Sequence, residues 1–320
     1  MDGQLSNNGR TSSQARVWLL MEVVLRLGWP IFRFAAGGDR TSLWVPPVLC
    51  PSPLTEFVGV VMRAIILAAG LGSRLGGGVP KCLVEVGGRS LLHHQIENLR
   101  AVGVTDVTVV VGYGHDRVRL ADSGGLDWVM NERFATTNSL YSFWLARRAS
   151  ADDVLLLNGD VLFPLQVLAR LLSVPASAVA FDSGSGTEPE HMKVALRQGR
   201  LTSMSKSLPP ACTHGENLGI LRLTAAAAAS AFAAADALIS GGADADWVAS
   251  AVNVAASAHR IRGVDMAGLP WIEIDFPADL LAARSSVWPR IEALAAARGL
   301  AQPAASLAAR DLLGDVRVPV

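Results

Sequence analysis

Short apolar runs alternate with helical patterns through the first half of the chain. Four runs predict largely buried strands, and the continuous ones are typical of strands covered on both faces. Between them, apolar residues recur at helical spacing along one side of two segments. Strands that alternate with helices predict an α/β fold with a doubly wound, mostly parallel sheet. The predicted strands are Arg63–Ala68, Asp106–Val111, Asp127–Met130 and Val154–Leu157, and the predicted helices are Ser90–Val102 and Asn138–Arg148.

The second half of the chain has shorter strand patterns, which are separated by turn-rich segments. We predict three strands, an alanine-rich helix, a second helix, two further strands and a final helix of the domain. In chain order these segments are Ala176–Asp182, Met192–Leu196, Leu218–Leu223, Ala225–Leu238, Asp246–Ala258, His259–Val264, Trp271–Ile274 and Pro277–Arg284. The core domain is therefore predicted to span residues 62–284. The alanine-rich residues 285–320 are expected to form loosely attached helices.

Residues 1–61 precede the first strong strand and are interpreted as an extension. Their most apolar stretch, Val17–Phe34, contains three charged residues and a proline. These interruptions argue against a stable membrane span and against a signal peptide. Because Met62 stands directly before the first strand, we expect the extension to be poorly ordered or an over-long gene start. An amphipathic surface or partner-binding helix at Val17–Leu27 is the alternative.

The composition narrows the classes of function. Apolar residues make up 51% of the chain, which is enough for a large core. Lysine and arginine together number 28, as do aspartate and glutamate, so the net charge of zero argues against a nucleic-acid partner bound through bulk charge. Three scattered cysteines suit neither a disulfide framework nor a zinc site. We expect a reduced, cytoplasmic protein.

A glycine-rich loop, residues 69–81, follows the first predicted strand and suggests an anion site. Glycines let the backbone approach an anion closely, and successive N–H groups in such a turn form an anion-binding concavity. Arg74 and Lys81 add positive charge where phosphates would bind. The loop is not a dinucleotide fingerprint, because Leu75 stands where the third glycine belongs, and it lacks the Gly-Lys-Ser/Thr of a P-loop. The basic pair also argues against a simple surface turn.

Acidic residues stand at the ends of two predicted strands. Asp160 ends LLLNGD and Asp275 ends WIEID. Ligands of open α/β sheets bind beyond the carboxyl ends of the strands, and carboxylates there suit Mg²⁺, which takes few protein ligands. Glu273 has the same parity as Asp275 along its strand, so both side chains are expected on one face. Helix capping is the alternative role for both aspartates.

The sequence LAAGLGSRL…PK resembles the signature of nucleotidyltransferases, which move a nucleoside monophosphate from a triphosphate onto a phosphorylated acceptor. Within that family, TTNSLYSFW, NGD, EHMKV, GENLGI and WIEID are most similar to the phosphocholine and phosphonate cytidylyltransferases. The resemblance runs from about Met62 to Leu281. It implies a Rossmann-like α/β fold of the nucleotide-diphospho-sugar transferase type, with a mixed, mostly parallel sheet flanked by helices. It also implies that the glycine-rich loop embraces the triphosphate.

The resemblance implies roles for individual residues. Lys81 and Arg74 are the expected catalytic residues, and Asp160 and Asp275, with Glu273, are the expected Mg²⁺ ligands. Polar groups that open the helix after Thr137 are expected to offer N–H donors to the nucleotide or an anion. The expected nucleotide contacts are Leu67, Ala69, Gly70, Gly72, Ser73, Arg74, Lys81, Gly112, Ser139 and Asp160, and the expected acceptor contacts are Tyr141, Lys193, Glu216 and Trp271.

The implied activity is CTP-dependent transfer of CMP to a small acceptor, with Mg²⁺ as cofactor and release of pyrophosphate. Tyr141, Trp144 and Trp271 suggest an aromatic cage for choline, whereas Lys193 and Lys206 suit a compact phosphonate, which we favour. A sugar-1-phosphate nucleotidyltransferase and a non-catalytic nucleotide-binding domain are the alternatives. The expected partners are thus CTP and a small phosphonate or phosphate ester, and a homodimer is left open as the assembly.

Overall fold

The computed structural model describes residues 62–76, 78–120, 124–149, 151–186 and 188–297. The segment Val17–Leu27, considered above as an amphipathic helix, lies outside the described residues, as does the end of the alanine-rich tail. Among the helices that the structure describes, none is both long enough and apolar enough to cross a bilayer.

The first half of the described chain is a succession of strands and helices, as the apolar pattern predicts. The elements are β1 (Met62–Ala68), β2 (Glu85–Val86), β3 (Arg89–Ser90), α1 (Leu91–Ala101), β4 (Asp106–Val111), α2 (His115–Leu120), β5 (Asp127–Met130), α3 (Ser139–Leu145) and β6 (Asp153–Asn158). The strands β1, β4 and β6 are largely buried, whereas β5 at the edge of the sheet is partly exposed.

The second half adds strands in both directions and the remaining helices. Its elements are β7 (Val161–Leu162), α4 (Leu165–Leu172), β8 (Ala178–Asp182), β9 (Lys193–Arg197), β10 (Arg200–Ser205), β11 (Gly215–Leu223), α5 (Ala225–Ser240), α6 (Ala249–Ala258), β12 (Arg262–Asp265), β13 (Ile272–Glu273), α7 (Pro277–Ala282), a π-helical turn (Ala283–Val287) and α8 (Trp288–Ala296).

Nine of the described strands form one mixed sheet in the order β5-β4-β1-β6-β11-β8-β12-β10-β9. The strands β5, β4, β1 and β6 are parallel, and β11 lies antiparallel to β6 and β8. Beyond β8, β12 is parallel and β10 and β9 are antiparallel. The predicted α/β class is confirmed, and the parallel pairs lie mainly in the first half of the chain.

Helices cover both faces of the sheet, so the strands are buried on both sides. Along β1, Ile65 belongs to a core that includes residues of α3, α5 and α6, whereas its neighbours Ala64 and Ile66 belong to a second core that includes residues of α1 and α4. Side chains of a strand alternate between faces, so a continuous apolar run is what two covered faces require. This explains why β1, β4 and β6 are the strands that the sequence predicts best.

The chain beyond Pro277 packs on the domain more closely than expected. Val287 and Ile291 are buried with Val86 of β2, and the ring centroids of Trp288 and His94 lie 4.5 Å apart. The expectation of loosely attached helices is therefore wrong for residues 285–297. The boundary predicted at Arg284 falls inside a continuous helical segment, because apolar residues beyond it complete a small core.

Candidate active site

A cleft of about 360 Å³ opens at the carboxyl ends of β1 and β6, where the strand-end rule predicts a ligand site. The glycine-rich loop and the strand ends form one part of its lining, and residues of the second half form another part. Predicted site residues that line this cleft are Leu67, Ala69, Gly70, Arg74, Lys81, Ser139, Asp160, Glu273 and Asp275. Gly72, Ser73, Gly112, Tyr141, Lys193, Glu216 and Trp271 do not line it.

Two of the predicted glycines support the loop from behind. Gly72 has a φ of +63°, and a Cβ there would lie 2.9 Å from Cγ of Lys81. A Cβ on Gly112 would lie 2.7 Å from the carbonyl oxygen of Ala69 and 2.6 Å from Cβ of Phe134. Both positions need glycine because another part of the loop crosses them at close range. The two glycines thus allow the observed path of the loop. The residues that they contact, Lys81, Ala69 and Phe134, line the cleft.

Three carboxylates meet at the base of the cleft. One oxygen from each of Asp160, Glu273 and Asp275 lies within 4.8 Å of the others. The short strand β13 pairs with β7, with Glu273 opposite Val161, and the N–H of Ile274 donates to the carbonyl oxygen of Asp160 over 2.9 Å. This pairing brings together two aspartates that are far apart in the chain.

The first turn of α7 also holds Asp275. The carboxylate of Asp279 accepts hydrogen bonds from the N–H groups of Asp275, over 3.0 Å, and of Phe276, over 2.7 Å. A side chain that caps the start of a helix in this way fixes the preceding backbone. Asp279 therefore caps the start of α7. The Asp275 carboxylate does not cap this helix and lines the cleft.

Lys81 lies between the aspartates. Its Nζ donates to Oδ2 of Asp160 over 3.3 Å and forms an ion pair with Asp275. Burial lowers the pKa of Lys81, but the two carboxylates outweigh burial and raise the pKa above its ordinary value. The lysine is therefore a fixed positive charge at the base of the cleft.

Burial and mutual repulsion make the ionised form of these carboxylates unfavourable. Burial, with the charge of Asp275, raises the pKa of Asp160 against the opposing effect of Lys81. Burial and the charges of Asp160 and Asp275 raise the pKa of Glu273 to about 8. Oδ1 of Asp160 is buried and accepts no hydrogen bond from the described residues. Converging carboxylates with an unpaired oxygen fit a divalent cation, because hard cations prefer oxygen ligands.

Arg74 lies at the mouth of the cleft. Its Nη1 is 3.9 Å from Oδ2 of Asp275 and 3.9 Å from Oε2 of Glu190, and its guanidinium lies over the ring of Phe276, 5.3 Å from the centroid. The side chain is half exposed. Arg74 thus places a positive charge at the mouth of the cleft.

The start of α3 does not offer the free N–H donors that the sequence suggested. The N–H groups of Asn138 and Leu140 donate to the carbonyl oxygens of Asp244 and Asp246. The N–H of Ser139 donates to the side chain of Asn138, and Oγ of Ser139 accepts from the N–H of Val248. The expectation is wrong because the loop between α5 and α6 uses these groups. Ser139 lines the cleft, but its hydroxyl also anchors this loop.

The four expected acceptor residues lie behind or beside the cleft. Lys193 and Glu216 are buried opposite each other on β9 and β11, and side chains alternate along a strand, so their neighbours Met192 and Asn217 reach the cleft instead. The ring of Tyr141 stacks under Arg133, and the indole of Trp271 donates to Asp182. None of these four side chains therefore lines the cleft in which an acceptor is expected.

Lys193 and Glu216 instead hold the wall of the cleft. Nζ of Lys193 donates to the carbonyl oxygen of Lys206 over 2.7 Å. Glu216 accepts from the hydroxyl of Ser185 and lies 3.2 Å from Nδ1 of His191, and burial raises its pKa. These contacts fix the backbone from which Lys206 and Met192 enter the cleft.

The cleft also contains residues that the sequence did not single out. Asn131 directly follows β5, so the strand-end rule that found Asp160 also applies to it. Trp247 lies in the loop between α5 and α6, and no local pattern marks it. Further lining residues of this kind are Cys82, Phe134, Asn158, Glu190, Met192, Met204 and Asn217.

The fold and this cleft define a class of protein. Residues 64–312 match the MobA-like NTP transferase domain, and the chain belongs to this family. The predicted nucleotidyltransferase class is confirmed.

Two curated relatives show which nucleotidyltransferases the chain is similar to. The chain is 36% identical over 238 residues to the CMP-5′-(3-aminopropyl)phosphonate synthase of Streptomyces rubellomurinus, which covers 69% of this chain and 38% of that protein. It is 37% identical over 106 residues to the choline-phosphate cytidylyltransferase of Streptococcus pneumoniae, which covers 32% of this chain and 46% of that protein. The matches therefore span less than half the length of each of these relatives.

Solved structures confirm the fold. The inositol-1-phosphate CTP transferase from T. maritima has a TM-score of 0.60 at 22% identity, over 74% of this chain and 97% of that one. The CTP:phosphocholine cytidylyltransferase from Streptococcus pneumoniae has a TM-score of 0.56 at 21% identity, over 69% of this chain and 96% of that one. The nucleotide-diphospho-sugar transferase type of fold is thereby confirmed.

Proposed function

We propose that this chain is a CTP-dependent cytidylyltransferase that transfers CMP to a small phosphonate or phospho-alcohol and releases pyrophosphate. The observation that carries the proposal is the meeting of Lys81 with Asp160, Glu273 and Asp275 beside the glycine-rich loop. The names of the two relatives support cytidylyl transfer, one to a phosphonate and one to choline phosphate.

The reaction needs charge neutralisation more than it needs a protein nucleophile. An oxygen of the acceptor, already an anion, attacks the α-phosphorus of CTP in line; a new P–O bond forms as the bond to pyrophosphate breaks. Two anions must be brought together, so catalysis consists of positioning and electrostatic stabilisation. The fixed charge of Lys81 stabilises the α-phosphate as negative charge builds up on it.

The other residues of the cleft take complementary parts. The backbone of the loop at Ala69 and Gly70 lies against the triphosphate, and Arg74 holds the departing pyrophosphate at the mouth. Asp160, Glu273 and Asp275 fit Mg²⁺, which when bound supplies positive charge that draws the two substrates together and polarises the α-phosphate. Lys81, paired with the same carboxylates, remains beside the reacting phosphate.

The acceptor would bind against the part of the lining that carries Glu190, Met192, Met204, Lys206 and Trp247, which we call the acceptor wall. A compact acceptor suits a cleft of about 360 Å³ that must also hold CTP.

Pyrophosphate release tests the proposal. The protein is assayed with Mg²⁺ across four nucleoside triphosphates and an acceptor panel of aminoalkyl and hydroxyalkyl phosphonates, phosphonoformate, phosphocholine and sugar-1-phosphates, with products identified by mass. We expect release with CTP and a phosphonate or phosphocholine. Release with sugar phosphates alone would contradict the proposed acceptor class, and no release in any combination would contradict catalysis.

A matched pair of variants separates the site from general damage. Lys81→Ala removes the charge at the base of the cleft, whereas Arg119→Ala removes an exposed charge on α2, away from the cleft. We expect the first to abolish most of the activity and the second to leave it unchanged. Equal activity in the two variants would contradict the role of Lys81.

A further inference from the structure

Three side chains on the acceptor wall form a compact group. Nζ of Lys206 lies 3.2 Å from Oε2 of Glu190 and 5.2 Å from the ring centroid of Trp247. A carboxylate and the face of an indole are the two partners that an ammonium ion binds best in proteins. The chain thus places an ammonium group of its own, that of Lys206, in a position built to bind one.

The backbone that carries this group is anchored. The carbonyl oxygen of Lys206 accepts from the buried Nζ of Lys193, and the N–H of Val248, next to Trp247, donates to Ser139. The anchoring fixes the backbone beside both side chains, while the side chain of Lys206 keeps its flexible four-carbon stem. The ammonium group of Lys206 can therefore move away without a change in the backbone that carries Trp247.

The position lies close to the reacting centre. Nη1 of Arg74 is 3.9 Å from the carboxylate of Glu190 and also 3.9 Å from that of Asp275. A single guanidinium nitrogen thus bridges the group on the acceptor wall and the carboxylates at the base of the cleft. An acceptor that joins the two places needs only a short spacer between its phosphonate and its far end.

We propose that Glu190 and Trp247 bind a terminal ammonium group of the acceptor, and that Lys206 occupies this position until the acceptor displaces it. The inference rests on the proposed function and specifies its acceptor as a short aminoalkyl phosphonate or an amino-alcohol phosphate. An exposed lysine–glutamate pair contributes little stability, so an incoming ammonium displaces it readily. An acceptor that lacks the amine gains nothing at this position.

The direct test is binding, measured by calorimetry with CMP present. The probes are 3-aminopropylphosphonate and propylphosphonate, which differ only in the amine. We expect the amine to improve affinity about tenfold in the wild type, in line with an ammonium held by an aromatic ring and a carboxylate. Equal affinities for the two probes would overturn the inference.

Variants distinguish displacement from direct binding by the lysine. Lys206→Met empties the position and should raise the affinity for the amine about three- to tenfold, as loss of a competing cation requires. Glu190→Gln and Trp247→Ala should bring the ratio of the two affinities towards one, and Trp247→Phe should restore part of it. A weaker affinity for the amine in Lys206→Met would overturn the inference. Thermal unfolding of each variant checks that it is folded.

The two proposals can fail separately. Pyrophosphate release that is as efficient with propylphosphonate as with 3-aminopropylphosphonate, with unchanged kinetics in Lys206→Met, overturns the ammonium position and leaves the cytidylyltransferase intact. Absence of release with every acceptor, together with the expected binding of the amine, overturns the cytidylyltransferase and leaves the ammonium position intact.

Discussion

Replacing Lys81 by methionine removes one charge from the base of the cleft and keeps most of the stem. The stem matters because Cγ of Lys81 packs against Gly72, 2.9 Å from where a Cβ would lie. A shorter side chain would therefore also disturb the loop. The ammonium group is the part that pairs with Asp160 and Asp275. Lys81→Met is therefore a test of charge with little change in packing.

The expected loss in activity follows from the position of the charge. Nζ lies 3.3 Å from Asp160 in a partly buried cleft, where a preorganised donor is effective because it needs no reorganisation during the reaction. Loss of one such donor costs about 10²–10³ in rate, or about 2.7–4 kcal/mol. We expect kcat/KM for CTP and the acceptor to fall by about this factor.

The effect on stability is expected to be smaller. Breaking a fully buried ion pair costs about 3–5 kcal/mol, but the side chains of Lys81, Asp160 and Asp275 are 19%, 21% and 29% exposed, which reduces the loss to about 1–3 kcal/mol. Without the lysine, the pKa values of Asp160 and Glu273 rise further, so part of the loss is relieved by protonation.

The assay is steady-state pyrophosphate release, with thermal unfolding of the same preparations. Arg119→Ala serves as the matched control, and Lys81→Arg tests whether a charge with different geometry suffices. A decrease below tenfold in Lys81→Met would refute the role of the lysine in the transition state. A decrease that Arg119→Ala shares would show that the assay reports something other than the cleft.

Three further predictions concern the loop, the carboxylates and the buried wall. Gly72→Ala should lower kcat/KM far more than Gly76→Ala. Both glycines have positive φ, but a Cβ would contact Lys81 only at Gly72. Equal losses in the two variants would contradict this role of Gly72. Millimolar Mg²⁺ should raise the melting temperature of the wild type by a few degrees but not that of Asp275→Asn; an equal rise in both would argue against metal binding at this carboxylate. Since the pKa of Glu216 is raised, the folded state retains its proton longer, and stability should fall as the pH rises from about 4.5 through the raised pKa. Melting temperatures of Glu216→Gln against pH should lack this decline, and an identical profile would contradict the raised pKa.

The local patterns predicted the elements that are determined by burial on both faces. β1, β4 and β6 are continuous apolar runs, and each lies between two other strands of the sheet, with helices on both faces. Six of the described elements had no prediction: the short strands β2, β3 and β7, the strand β10, and the helices α2 and α4. Leu165–Leu172 has an apolar face at helical spacing, but it is only eight residues long, so the pattern extends over little more than two turns.

The acceptor side shows where the sequence was insufficient. Lys193 and Glu216 lie in segments that resemble the family's motifs, but parity along β9 and β11 directs both side chains away from the cleft. Parity can be assigned only when the buried face of a strand is known. Here both faces are partly covered, so the sequence carries no alternation that would have revealed it.

The sequence by itself determined the class of fold, the glycine-rich loop with Lys81, and the carboxylates Asp160 and Asp275 at strand ends. These depend on short-range features: an apolar run, a glycine-rich turn and the residue that ends a strand. The tertiary structure decided which side chains form the acceptor wall. Glu190, Lys206 and Trp247 come from three separate segments, and only the packing of β9, β10 and the loop before α6 brings their side chains together. Contacts between distant segments leave no local pattern, because each of these side chains is an ordinary surface residue in its own segment.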